Sequence, residues 1–193
     1  MDLVLIRHPA VAIDAGVCYG RSDVALADAP HASVAALKAR LELGAPDVVW
    51  SSPLTRCRAI AEPWAAHWAR KVRVDPRLQE MDFGTWEKQR WDNIDRALLD
   101  DWAADLHHAR AHGGESVAQF SARVETWFAE RQTEAADACA HVVTHAGVIR
   151  VLAALALRVS LEQTLSWSID FSGVAWLRQR ESGAAWTLVR WNA

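Results

Sequence analysis

The sequence predicts an α/β fold of three layers, in which helices cover both faces of a mostly parallel, mixed β-sheet. Short apolar runs typical of buried strands alternate with segments of helical periodicity as far as residue 157. This alternation is typical of parallel strands joined by helices. Beyond that point apolar and polar residues alternate with a period of two, which predicts antiparallel strands. The sheet is therefore expected to be mixed.

The first half of the chain contains three predicted strands and two predicted helices. The strands are the short apolar runs at residues 2–6, 47–50 and 71–74. A helical pattern covers residues 30–43, with Gly44 as its stop signal, and a second covers residues 53–69, with Pro53 in the first turn.

The second half begins with a predicted loop over residues 75–85, followed by two helical pieces within residues 86–106. Ser116 and Gln119 have the spacing of a capping box, which predicts a long helix that ends at about residue 138.

The last part of the chain contains one more strand–helix pair and three alternating segments. The pair covers residues 141–144 and 147–157. The alternating segments, at residues 165–169, 174–180 and 185–191, predict strands, and residues 181–183 predict a turn between the last two.

Length and composition favour a single domain over residues 1–193. Apolar residues make up 51% of the chain and charged residues 23%. These values are ordinary for a globular protein and argue against a disordered chain, a fibre or a multi-span membrane protein. The formal net charge of −3 argues against a nucleic-acid-binding surface.

Cysteine spacing and the N-terminal segment predict a cytoplasmic protein that does not bind membranes. Cys18, Cys57 and Cys139 are an odd number without CxxC spacing, which favours a reducing compartment and buried, unpaired thiols. The N-terminus has no basic leader, and the apolar runs are too short to span a bilayer.

Basic and histidine side chains stand where three predicted strands end. Arg7 and His8 close the first strand. Arg56 follows the second, and His145 follows the strand at residues 141–144. Each of them alone is more simply a solvated or paired loop residue. Together they predict an anion site, because ligands of open α/β sheets bind at the carboxyl ends of the strands. A phosphate dianion suits two guanidiniums and two imidazoles.

A carboxyl group near this site would complete a phosphoryl-transfer centre. Imidazole can attack phosphorus when its other nitrogen is held by a hydrogen bond, and the departing alkoxide then needs a proton. Glu80, in the loop LQEMDFGTWE, is the best-placed acid, with Asp82 and Glu87 as rivals. Arg21, in CYGRSD, is either a substrate contact or a solvated loop arginine.

A group of histidines between the helical segments was the other candidate for chemistry. His108 and His112 are four residues apart, with His107 beside them, but no third ligand or HExxH context accompanies them. A polar surface segment is the favoured interpretation, and the sequence predicts no metal and no other cofactor.

Six strings carry a resemblance to a known family. They are LVLIRHP, CYGRSDVAL, SSPLTRCRAIA, LQEMDFGTWE, GGES and VVTHAGVIR, in this order between residues 3 and 150. The chain resembles the histidine phosphatase superfamily, also called phosphoglycerate mutase-like, and within it the α-ribazole phosphatase branch. The resemblance implies a phosphoglycerate mutase-like fold and hydrolysis of a small phosphorylated metabolite. It specifically implies α-ribazole 5'-phosphate, an intermediate of cobalamin biosynthesis.

The resemblance also implies a role for each residue of the predicted site. His8 is the nucleophile that becomes a phosphohistidine, and Glu80 protonates the leaving group. Arg7, Arg56 and His145 hold the phosphoryl oxygens, and no metal takes part. A broad-specificity phosphatase, a mutase of small metabolites and a non-catalytic phospholigand-binding module stay open as alternatives, as does a homodimer.

Three positions depart from the family pattern. Pro9 stands where the family usually has Gly after the nucleophile, Asp14 falls near a usual Asn, and Lys88 replaces a usual Gly. A carboxylate beside bound phosphate would be repelled, so we expect Asp14 to point away or its loop to differ. These changes concern the substrate pocket more than the phosphoryl-binding residues.

Overall fold

In the computed structural model, which describes residues 1–40, 44–135 and 138–193, six strands form one sheet. The strands are β1 (Asp2–Arg7), β2 (Val48–Ser51), β3 (Val72–Val74), β4 (Cys139–Thr144), β5 (Val174–Arg178) and β6 (Thr187–Arg190). Their order across the sheet is β3-β2-β4-β1-β5-β6. Strand β1 lies between β4 and β5, which are more than 130 positions away in the sequence, so long-range contacts hold the sheet together.

Strands β1 to β4 pair only in parallel with one another, whereas the two C-terminal strands form antiparallel pairs. β4 pairs in parallel with both β1 and β2, so that Val142 lies opposite Leu5 on one side and Trp50 on the other. β2 also pairs in parallel with β3. β5 is antiparallel to β1, and β6 is antiparallel to β5. The prediction of a mostly parallel, mixed sheet is confirmed.

Helices connect these strands. They are α1 (Pro30–Arg40), α2 (Thr55–His67), α3 (Arg96–Ala104), α4 (Val117–Arg131), α5 (Ala146–Leu157) and α6 (Leu161–Leu165). The two helical pieces predicted within residues 86–106 are a 3₁₀ turn at Trp91–Asn93 and helix α3. The predicted capping box is present at the start of α4, where Ser116 and Gln119 cap each other's backbone.

Several predicted boundaries differ from the structure. Helix α4 ends at Arg131 and not near residue 138. The end predicted for the first helix lies at residues 41–43, outside the described residues.

The strand predicted at residues 165–169 is wrong, because this segment begins with the end of α6 and continues as a turn and loop. Ser160 starts α6 through a second capping box. The period-two pattern at residues 165–169 has another cause. Ile169 is 3% exposed in the core, while its carbonyl accepts a hydrogen bond from the Arg7 side chain.

Alternation along the strands buries both faces of the sheet. Leu3 and Leu5 of β1 pack on the face that α4 and α5 cover, whereas Val4 and Ile6 pack on the face that α1 and α2 cover. Each side chain of this kind contributes about 1.5–3 kcal/mol by leaving water. The result is the predicted three-layer arrangement.

The strand order also determines where a ligand can bind. The carboxyl ends of β1, β4 and β2 lie side by side because these strands are parallel neighbours. Across residues 1–40, 44–135 and 138–193, no helix has both the length and the apolar composition that a membrane crossing needs.

Replacing a fully buried residue of the central strand tests this packing. Leu5→Ala removes a side chain with 0% exposure and should lower the free energy of unfolding by about 2–5 kcal/mol. Leu98→Ala, at a position that is 40% exposed on α3, is the control and should change it by less than about 0.5 kcal/mol. Urea unfolding followed by tryptophan fluorescence measures both. Equal losses would contradict the assignment of Leu5 to the core.

Candidate active site

The structure brings together the four residues that the strand ends predict. Arg7 is the last residue of β1, and His8 follows it. Arg56 lies in the first turn of α2, and His145 caps the start of α5. The ring centroids of His8 and His145 are 5.1 Å apart, so two imidazoles from different strand ends share one small space.

His8 is held as a neutral imidazole with one nitrogen available. Its Nδ1 lies 2.7 Å from the carbonyl oxygen of Pro9. Because a carbonyl only accepts hydrogen bonds, the proton is on Nδ1 and Nε2 keeps its lone pair. Burial, and then the positive charges of Arg56 and Arg7, lower the pKa of His8 to about 3. At neutral pH the ring therefore has an unprotonated nitrogen, which a nucleophile needs. The hydrogen bond to Nδ1 comes from the backbone carbonyl of Pro9, and a glycine at this position would supply the same carbonyl.

Two arginines supply positive charge around this imidazole. Arg56 is 0% exposed, and its guanidinium donates to the carbonyl oxygens of Gly20 at 2.6 Å and Ser22 at 2.7 Å. Arg7 donates to Ile169 and lies 4.0 Å from the ring centre of Phe171. Neither arginine forms an ion pair within the described residues, and the buried Nε atom of each has no partner there. Buried donors without partners are rare, so both arginines retain capacity for an anion.

His145 is the second buried imidazole of the site. Its Nε2 lies 2.8 Å from Ser52 Oγ and 3.5 Å from the sulfur of Cys57. Burial, followed by the charge of Arg56 and the proximity of His8, holds the pKa of His145 well below its ordinary value. A bound dianion would offset that positive charge and favour the protonated, donating form.

The side-chain carboxylate of Glu80 lies against the N-terminal turn of α5. The backbone N–H of Gly147 donates to Glu80 Oε2 at 3.1 Å, and the N–H of Met81 donates to Oε1 at the same distance. A β-carbon at Gly147 would overlap Oε1, so a side chain at residue 147 would displace the Glu80 carboxylate from this position. Glu80 thus lies against the helix that begins after His145.

The two rival carboxylates have other partners. Asp82 accepts the N–H of Gly84 at 2.8 Å and pairs with Arg21 at 3.6 Å. Glu87 accepts backbone N–H groups from residues 21, 22 and 83. Both carboxylates therefore stabilise loops, and Glu80 is the carboxylate that lines the cleft with Arg7 and His8.

Two cavities meet at Glu80. The first, which we call the catalytic cleft, has a volume of about 150 Å³. Its lining residues are Arg7, His8, Val17, Cys18, Tyr19, Gly20, Glu80, Phe83 and Trp91. The second, the apolar pocket, has a volume of about 320 Å³ and shares Glu80 and Phe83 with the cleft. Its other walls include Trp102, Phe120 and Leu161. A group bound beyond the cleft would therefore meet mainly apolar surface.

Arg56 and His145 are fully buried and do not line the cleft, and the other candidate residues also lie outside it. The Arg21 side chain is half exposed and pairs with Asp82, so its contact with substrate stays a prediction. Asp14 is exposed and does not line the cleft, and its expected orientation away from phosphate stays a prediction. His107 pairs with Glu162, whereas His112 is buried among aromatic rings. In the described part of the chain no three His, Cys, Asp or Glu side chains form a group that could hold a metal.

Sequence reasoning missed several residues of the site. Tyr19 lines the cleft and lies 5.2 Å from the Arg56 guanidinium; its place beside Arg21 in CYGRSD was the available signal. Phe171 contacts both Arg7 and His8. It lies in a loop that the sequence did not predict, because residues 165–169 were expected to form a strand. Cys57 follows Arg56, but its contact with the His145 ring depends on the fold.

The sequence model of the histidine phosphatase superfamily (branch 1) matches residues 3–193. The chain belongs to this superfamily. A curated relative, the adenosylcobalamin/α-ribazole phosphatase of Escherichia coli, is 29% identical over 127 residues, which cover 64% of this chain and 63% of that protein. The match thus spans less than two thirds of that relative. Phosphoserine phosphatase 1 of Hydrogenobacter thermophilus is 25% identical and covers 94% of this chain and 88% of that protein.

Solved structures of similar proteins share the whole fold. The α-ribazole phosphatase of Shigella flexneri has a TM-score of 0.86 at 26% identity and covers all of this chain and 96% of its own. A mycobacterial glucosyl-3-phosphoglycerate phosphatase has a TM-score of 0.82 at 26% identity and covers all of this chain and 98% of its own. These relatives support the predicted enzyme class, a phosphatase, and they differ in the substrates that their names state.

The buried imidazoles predict how stability depends on pH. The unfolded chain binds a proton at each histidine below about pH 6.5, whereas the folded chain keeps His8 neutral down to about 3. The contribution of neutral His8 to the free energy of unfolding is therefore fully present above pH 6.5 and is lost as the pH falls towards 3. Between pH 7 and pH 5, the free energy of unfolding of His8→Asn should fall by about 2 kcal/mol less than that of the parent. Urea unfolding at the two pH values measures the difference, and the exposed His108→Asn is the control. The same loss in all three proteins would show that His8 is not buried as a neutral group.

Proposed function

We propose that the chain is a phosphomonoesterase that works through a phosphohistidine on His8. The observation that carries this proposal is the state of His8: the Pro9 carbonyl holds Nδ1 at 2.7 Å, and two arginines flank a ring that is 2% exposed. A neutral imidazole with a free Nε2 beside two guanidiniums is suited to attack a phosphorus atom.

The first half-reaction transfers the phosphoryl group to His8. Nε2 forms a bond to phosphorus while the bond from phosphorus to the ester oxygen breaks, and protonated Glu80 gives its proton to that oxygen. Arg7 and Arg56 stabilise the charge on the phosphoryl oxygens, which is the task that metal ions perform in other phosphoryl-transfer sites. His145 donates to the same oxygens.

The second half-reaction returns the site to its starting state. The Glu80 carboxylate takes a proton from a water molecule, whose oxygen attacks phosphorus. The bond between phosphorus and His8 Nε2 breaks, and the imidazole leaves as the neutral base. Phosphate then departs, and Glu80 again holds the proton that the next leaving group needs.

The proposed substrate is α-ribazole 5'-phosphate, which would be hydrolysed to α-ribazole and phosphate during cobalamin biosynthesis in the cytoplasm. Two observations support this substrate. The similar proteins include α-ribazole phosphatases, and the apolar pocket beside Glu80 presents Phe83, Trp102 and Phe120 to a leaving group. Aromatic walls of this kind suit a flat heteroaromatic base.

A broad-specificity phosphatase is the second candidate. The observation that favours it is the variety among similar proteins, whose names state phosphoserine and glucosyl-3-phosphoglycerate as substrates. Phosphate release from α-ribazole 5'-phosphate, phosphoserine, a phosphorylated sugar and p-nitrophenyl phosphate separates the candidates. Comparable kcat/KM for all four would favour the broad enzyme. Transfer of phosphate to a second metabolite would show a mutase, and no release from any would favour a phospholigand-binding module.

Removal of the nucleophile tests the phosphohistidine. His8→Asn should lower kcat by about 10⁴-fold or more, because asparagine supplies no nucleophilic nitrogen and His145 acts as a hydrogen-bond donor in this mechanism. Rapid quenching with a labelled phosphomonoester should trap an acid-labile phosphoenzyme in the parent and none in the variant. His108→Asn, at an exposed position, should keep both the turnover and the trapped intermediate. An undiminished phosphoenzyme in His8→Asn would refute the mechanism.

Leaving groups of different basicity test Glu80. A poor leaving group needs the proton and a nitrophenolate does not, so Glu80→Gln should lower kcat/KM, which reports the first half-reaction, by about 100-fold or more for an alkyl phosphate. The loss for p-nitrophenyl phosphate should be much smaller. Asp82→Asn is the matched control on the same loop, since Asp82 pairs with Arg21 instead. Equal losses on both substrates would remove Glu80 from the acid role.

A further inference from the structure

Arg123 lies near the middle of α4 and reaches the loop that carries Glu80. Its NH1 donates at 2.8 Å to the carbonyl oxygens of Arg77 and Gln79, and its NH2 donates at 2.9 Å to the carbonyl oxygen of Glu80 itself. One guanidinium therefore holds three backbone carbonyls within four consecutive residues. We call residues 77–82 the acid loop.

Glu115 completes this arrangement from the other side. Its two oxygens accept hydrogen bonds from Arg123 Nε at 2.7 Å and NH2 at 2.9 Å. One of the same oxygens also accepts the backbone N–H of Asp82 at 3.0 Å. Arg123 thus holds the acid loop up to Glu80, and Glu115 holds it two residues later.

All the hydrogen-bonding capacity of the Arg123 guanidinium is used in this network. Its five N–H donors go to the three loop carbonyls and, twice, to Glu115. The side chains of Arg123 and Glu115 are about one-fifth exposed. Burial raises the pKa of Glu115, but the hydrogen bonds from Arg123 and its positive charge outweigh burial and hold that pKa below its ordinary value. A lysine has the same charge but only three donors and no planar fork.

Orientation is what this network can add to the chemistry. Unlike Arg7, His8 and His145, Glu80 is not at the end of a strand, so the sheet does not determine its position. The carboxyl group nevertheless has to meet an ester oxygen within hydrogen-bond distance, and a misplacement of about 1 Å can cost about 100-fold in rate.

We propose that Arg123 and Glu115 are positioning residues for Glu80, which hold the acid loop so that the carboxyl group meets the leaving-group oxygen. This inference rests on the proposed role of Glu80 as the proton donor. Neither residue lines the catalytic cleft, and both act through the backbone of the acid loop.

The test compares leaving groups in Arg123→Met and Arg123→Lys. With an alkyl phosphate, kcat/KM should fall by about 10- to 100-fold in both variants. With p-nitrophenyl phosphate kcat/KM should change by less than about threefold, and the inhibition constant of inorganic phosphate should stay within about twofold, because the phosphoryl contacts remain. Arg123→Lys should resemble Arg123→Met, since charge without the fork cannot hold three carbonyls. Near-parental activity of the lysine variant would show that charge alone suffices and would overturn the proposal.

A double-mutant cycle separates positioning from a general structural role. If Arg123 acts through Glu80, Arg123→Met should add little to the loss already caused by Glu80→Gln on the alkyl phosphate. Fully additive losses would overturn the proposal, as would an Arg123→Met loss that is equal on the two substrates. Glu115→Gln is the milder second variant if Arg123→Met does not fold, and it should show the same selectivity for the poor leaving group.

A remote arginine–carboxylate pair provides the matched control. Arg178 donates from Nε and NH2 to the two oxygens of Asp2, at the opposite end of β1 from the site. Arg178→Met should therefore change stability without changing the ratio of the two activities. If Glu80→Gln itself shows no selectivity, the proposed acid role fails; if Glu80→Gln is selective and Arg123→Met is not, only the positioning role fails.

Discussion

Parallel pairing of β4 with both β1 and β2 is the constraint on which the site depends. Arg7 lies opposite Thr144 in one ladder, and Ser51 lies opposite Val143 in the other. The chain therefore leaves all three strands at the same edge of the sheet, and the next residues of each strand meet there. A slip of one register position would turn the core residues Leu5 and Val142 towards the opposite face, so the packing of the core also keeps the imidazoles in place.

Burial gives these residues their chemistry. In water two histidines and two arginines would be ordinary solvated bases. Inside the sheet edge, desolvation and the two guanidiniums keep both imidazoles neutral, and the Pro9 carbonyl determines which nitrogen of His8 is free. Among the residues that the structure describes, neither arginine is paired with a carboxylate, and the free site therefore carries positive charge. Binding of an anion both neutralises that charge and completes the hydrogen bonding of the arginines.

The acid side of the site is built differently from the phosphoryl side. His8, Arg56 and His145 inherit their positions from strands and helix starts, whereas Glu80 lies on an irregular loop. Arg123 of α4 and Glu115, which precedes that helix, hold this loop by hydrogen bonds, and the lack of a side chain at Gly147 leaves room for the Glu80 carboxylate. In the proposed mechanism, different leaving groups would be accommodated around Glu80 and the apolar pocket, while the residues proposed to bind the phosphoryl group stay unchanged.

The sequence by itself determined the parts that depend on local patterns. Apolar runs predicted the strands, capping signals predicted the start of α4, and the strand-end residues predicted the phosphoryl site. Local alternation also misled at residues 165–169, where Ile169 is buried by the core without belonging to a strand. The contacts of Phe171 with Arg7, of Cys57 with His145 and of Arg123 with the acid loop were decided only by the tertiary structure. Each of these three contacts joins residues at least 40 positions apart, and no local pattern encodes which distant side chain will lie against a given backbone group.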